Sequence, residues 1–154
     1  MTSILAAARP DSVNFPLFVH VLGAMILVGG LVTATSALAC AKGDTARLRL
    51  GYWSLLAVAL PGYVIMRIGA QWIYTKEHWD DVPDKLVPTW LDIGFIVADA
   101  GALLMIIALI VGGIGMRRLR EGKGQGLLKA TLVISVVILA AALVAVWAMA
   151  GKPN

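Results

Sequence analysis

The chain has 154 residues, of which 60% are hydrophobic and 14% charged, far more apolar than an ordinary soluble domain. Its formal net charge of +4 does not point to nucleic acid, because the basic residues gather in two short connections beside helix ends, the pattern of membrane topology. The lone Cys40 excludes a disulfide framework within one chain.

The opening residues, MTSILAAARPDS, lack the cationic start, apolar core and small-residue cleavage site of a secretory signal. The first apolar run is therefore expected to stay in the chain. Four runs long enough to cross a bilayer follow, at about residues 15–39, 50–74, 90–116 and 127–149. Short polar stretches separate them, so residues 1–154 read as a single membrane domain. The fold class expected is all-α: a polytopic membrane protein built as an antiparallel four-transmembrane-helix bundle.

The first connection carries Lys42, Arg47 and Arg49; the third carries Arg117, Arg118, Arg120 and Lys123, with Lys129 just beyond. The middle one is acidic, with Glu77, Asp80, Asp81 and Asp84 against Lys76 and Lys85. By the positive-inside rule, connections one and three face the cytoplasm, while both termini and the acidic loop lie outside. Trp72, Tyr74, Trp90 and Trp147 then mark the outer interface, and Tyr52 and Trp53 the inner one.

Small residues are expected to let the helices approach, since lipid offers little hydrophobic drive between them. Gly23, Gly29 and Gly30, the stretch from Ala98 to Ala102, and the stretch from Ala140 to Ala142 suit that role. Pro61 and Gly62 are expected to kink the second span.

Three ionisable side chains interrupt the apolar runs: His20, Arg67 and Asp99. Counted inward from the outer ends at about 1.5 Å per residue, they lie roughly 7, 10 and 14 Å deep. A helical side chain leaves its backbone tilted toward the helix N-terminus. Arg67 on an outward-running span and Asp99 on an inward-running one therefore start toward each other. A charge at mid-span costs roughly 2.5 to 3.5 kcal/mol on insertion scales, so a pair formed directly or through water is expected.

Asp92 lies seven residues before Asp99, and Tyr63, Gln71 and Tyr74 share a stripe with Arg67, which suggests a polar track to the outer surface. The candidate binding residues are His20, Arg67, Asp99, Asp92 and Gln71. No residues read as catalytic or as a closed metal site. Thr131 and Ser135 share a face of the fourth span and are expected to bond backbone carbonyls.

Glu77, His78, Asp80, Asp81 and Asp84 could hold a divalent cation weakly, but without closed ligand spacing they read as a solvated acidic loop. The six Met residues are scattered and read as packing rather than a copper relay. No cofactor is predicted. Haem b is an alternative through His20, but a bis-His site within one chain fails because His78 lies in the polar loop.

The segment FVHVLGAMILVGGLV, residues 18 to 32, with its early His followed by small residues and Gly-Gly, resembles an uncharacterised group of four-helix bacterial integral membrane proteins. It is more distantly similar to the copper-resistance D (CopD) membrane family. The first resemblance implies a location in the bacterial cytoplasmic (inner) membrane; the second implies metal handling, with His20 at the matching position.

Three functions are weighed. The first is a non-enzymatic membrane protein with a buried polar site in the outer half, binding or conducting a small solute, ion or proton. The second is a structural or accessory subunit, in a homo-oligomer or a larger membrane complex. The third is a haem-binding electron carrier.

Overall fold

The computed structural model describes residues 11–83 and 86–151. The reading of the N-terminal ten residues, and the placement of Asp84 and Lys85 in the acidic loop, lie outside the described residues. Four long helices dominate: α1 (Asp11–Ala39), α2 (Thr45–Lys76), α3 (Thr89–Leu119) and α4 (Gln125–Gly151). A 3-10 turn, Trp79–Asp81, sits between α2 and α3, and no strand occurs among the described residues. By length and composition all four helices can cross a membrane, which is the signature of a multi-pass membrane protein.

The helices outrun the apolar runs. α3 has 31 residues, roughly 46 Å at 1.5 Å per residue against a hydrocarbon layer of about 30 Å. Across such a layer its end turns would reach into the headgroups. α2 begins at Thr45 rather than near Leu50 because Asp44 caps it, its carboxylate accepting from the Ala46 N–H at 2.9 Å. Such a cap supplies a partner for an otherwise orphaned donor. The first connection thereby shrinks to a tight turn through Lys42 and Gly43, both at positive φ.

The break expected at Pro61 takes the form of a wide π turn over Leu55–Ala59. Proline has no N–H and its ring crowds the carbonyl four residues back, here that of Ala57. The turn just before it opens, and the Leu60 N–H donates to the Leu55 carbonyl, five residues back.

α1 and α2 meet backbone to backbone. A Cβ added at Gly23 would fall within the backbone of Met66, and one at Gly69 within that of His20. Gly30 abuts Ala59, and Gly62 abuts Leu27. The four contacts run in opposite sequence order along the two helices at three- and four-residue steps, the spacing of one helical face. Gly29, expected to share this seam, faces away with nothing near it, because it lies one residue, about 100°, off the face.

α3 and α4 form a second close pair. Gly94 meets Met149, Gly112 meets the Thr131 methyl, and Gly115 meets Leu127 and Leu128. Within the stretches expected to do this, Ala100 and Ala140 are exposed and Gly101 has no close neighbour.

A core of Leu27, Leu31, Leu55, Ala59, Met105 and Ile138 draws on all four helices. Thr131 and Ser135 are fully buried, and their hydroxyls donate to the Leu127 and Thr131 carbonyls at 3.0 and 2.8 Å. Large apolar side chains such as Met25, Ile106, Val133 and Val144 cover the outer surface, which suits lipid rather than water.

Candidate functional site

Arg67 and Asp99 meet. The Arg67 Nη2 donates to Asp99 Oδ1 at 2.9 Å, joining α2 to α3. Long side chains bridge the helices here, where no glycine seam brings the backbones together. The Tyr63 hydroxyl, one turn before Arg67, donates to the Ala98 carbonyl at 3.2 Å. The Arg67 guanidinium lies 5.0 Å from the Phe95 ring centre, and Tyr74 stacks edge-on against the same ring at 5.4 Å.

A cation over an aromatic face gains electrostatic attraction, more so when desolvated. Phe95 is the site residue that sequence reasoning missed. It stands four residues before Asp99 on one face of α3, so the spacing that picks out Tyr63 beside Arg67 would have picked it out too.

The pair is not enclosed by the bundle. The Arg67 side chain is 31% exposed and that of Asp99 66%. Asp99 stands on a stripe of α3 whose other members, Ile96, Leu103, Ile106 and Ile110, are all exposed. The expected buried site is thus a polar patch on the flank between α2 and α3. The reason is helical phase: the face of α3 that packs inward carries Leu91, Met105, Ala108, Gly112 and Gly115, and Asp99 lies off it.

Centring α3 on a hydrocarbon layer of about 30 Å would place Asp99 roughly 7 Å inside its nearer edge. This is shallower than the sequence count suggested, because the first turns of the helix belong to the interface.

His20 belongs to a different contact. Its Nδ1 lies 3.0 Å from the Met66 carbonyl; a carbonyl can only accept, so the proton sits on Nδ1. Met66 and Gly69 present the α1-facing side of α2, whereas Arg67 reaches toward α3, and no hydrogen bond connects His20 to the pair. The expectation that His20 tunes the pair's protonation therefore lacks a direct contact.

Gln71 and Asp92 are exposed, and neither side chain hydrogen-bonds to the pair among the described residues. Asp92 lies in the first turn of α3, where a carboxylate is favoured by the helix dipole. No continuous polar track joins these residues to Arg67.

In the turn between α2 and α3, His78, Asp80 and Asp81 offer ligand atoms within 4.8 Å of one another, and all three are exposed. His78 Nδ1 lies 3.6 Å from Asp81 Oδ2, and the Trp79 indole donates to Glu77 at 2.8 Å.

Comparison with known proteins finds no matching family model, curated protein or solved structure.

Proposed function

We propose that the chain is a non-catalytic structural subunit of a membrane assembly, four antiparallel helices with both termini outside, which associates through the flank between α2 and α3. The observation that carries this reading is Asp99, two-thirds exposed within an apolar stripe while only one of its oxygens is bonded to Arg67. A charge facing lipid is costly, and polar side chains bind membrane helices to one another.

The patch is self-complementary. Arg67 has guanidinium donors to spare beyond the bond to Asp99, and Asp99 has an oxygen to spare. A two-fold interface needs both on the same surface, so that each copy donates to and accepts from the other. The partner we assign is a second copy of this chain.

The test places a cysteine at Leu103 in a Cys40→Ala background and cross-links the protein in membranes. A dimer is expected, and Asp99→Asn should weaken it while the helical content is unchanged. A protein that stays monomeric at all densities in the bilayer sinks the reading.

A second reading, a site for a small solute, ion or proton, is favoured by the shallow depth of the same patch and its unused polar atoms. Asp99→Asn separates the two. Solute- or proton-dependent flux into proteoliposomes that disappears in the variant supports the second, and absence of flux in both proteins supports the first.

A further inference from the structure

At the opposite end of the α2–α3 flank, Tyr52 of α2 packs onto two glycines of α3. Its ring lies against Gly112 and its hydroxyl against Gly113. Two contiguous hollows of about 400 and 420 Å³, sharing Tyr52, Met116 and Arg117, run along this seam. One is lined by Arg49, Trp53, Arg117 and Arg120. The other is bordered by Tyr52 and, on α3, by Leu109, Ile110, Gly113 and Ile114.

Among the described residues no acidic side chain comes within ion-pair distance of the arginines of the first hollow, Arg49, Arg117 and Arg120, whereas nearby Arg47 has Asp44 at 3.5 Å. Arg49 lies in the second turn of α2 and Arg117 in the last turn of α3, the end turns that outrun the hydrocarbon layer. Three guanidiniums therefore stand at phosphate depth, and Tyr52 and Trp53 beside them are the side chains that favour that interface.

We infer that this groove binds one anionic glycerophospholipid. Its phosphate is held by Arg49, Arg117 and Arg120, and one acyl chain lies along Ile110, Gly113 and Ile114. Arginine matches phosphate oxygens through paired N–H donors, and basic pockets between membrane helices recognise anionic headgroups. The apolar continuation selects a lipid over a free anion, because a soluble phosphate would leave that hollow unfilled. None of these residues belongs to the Arg67–Asp99 patch, so the two readings fail independently.

The test uses the full-length protein in mild detergent, titrated with phosphatidylglycerol or with phosphatidylcholine of the same acyl chains, with bound lipid counted by native mass spectrometry. One phosphatidylglycerol should be retained at least about tenfold more tightly than phosphatidylcholine, and Arg49→Gln, Arg117→Gln and Arg120→Gln should each weaken it roughly fivefold. Arg118→Gln removes the same charge from the same helix end without touching the groove and should change binding less than about twofold. Ile114→Trp, which fills the apolar part, should weaken both lipids.

An effect of Arg118→Gln equal to that of Arg117→Gln would mean diffuse surface charge and overturn the site. Displacement of the lipid by millimolar inorganic phosphate, or indifference to Ile114→Trp, would overturn its assignment to a lipid. Should Arg117→Gln fail to fold, Arg49→Gln, on the other helix, carries the same test.

Discussion

The seam between α1 and α2 and the flank between α2 and α3 use the same helix in opposite ways. Along the seam, Gly23, Gly30, Gly62 and Gly69 remove side chains so that backbones touch. Along the flank, Tyr63, Arg67 and Tyr74 span a gap that glycines do not close. In lipid, where apolar burial gives helices little reason to associate, close packing and interhelical hydrogen bonds are the available forces. The seam relies chiefly on the first and the flank on the second.

The sharpest way to break this contrast is steric. Gly69→Leu drives a side chain into the His20 backbone and should cost about 3 kcal/mol or more in denaturant unfolding. Gly29→Leu, on the same helix as Gly23 but facing open space, should be nearly neutral. Equal effects at the two positions would show that the seam is not where the stability lies.

A smaller effect is expected on the flank. Arg67→Met leaves Asp99 without its ion pair and should cost about 1 to 2 kcal/mol, the upper range for polar contacts between membrane helices. Removing both charges, with Asp99→Leu added, should recover most of that loss. A double variant no more stable than Arg67→Met would mean that the pair is not the coupled unit described here.

The smallest effect is at His20, whose single bond to the Met66 carbonyl is worth about 0.6 kcal/mol. His20→Leu should lower stability by that order, measured by the same unfolding. A loss several times larger would give the imidazole a role beyond this crossing.

Much of the fold was legible because membrane crossing imposes a long apolar run that no local detail can disguise. The helix ends were less so: Asp44 reads equally as a loop acid until its cap is seen. The pairing of Arg67 with Asp99 followed from charge and tilt direction, both local properties. That the pair lies on the flank did not follow, since it depends on which face of α3 packs inward, and α3 is apolar on nearly every face. The same ambiguity hid Gly94, Gly112 and Gly115 behind the more conspicuous alanines. Gly29 and Gly30, adjacent in sequence, could be told apart only by the register of α1 against α2.

The wide turn at Leu55–Ala59 has a bearing on how this chain tolerates changes in length. It accommodates one residue more than an ordinary helical turn would, so it behaves as an absorbed insertion. Shortening α2 by one residue there would convert it to plain helix while Gly62, Arg67 and Gly69 kept their headings. The same deletion a few residues further on would swing everything beyond it through about 100° and turn the glycines away from α1. The proline that forces this turn thus leaves the C-terminal half of α2 free to keep its phase against both neighbours.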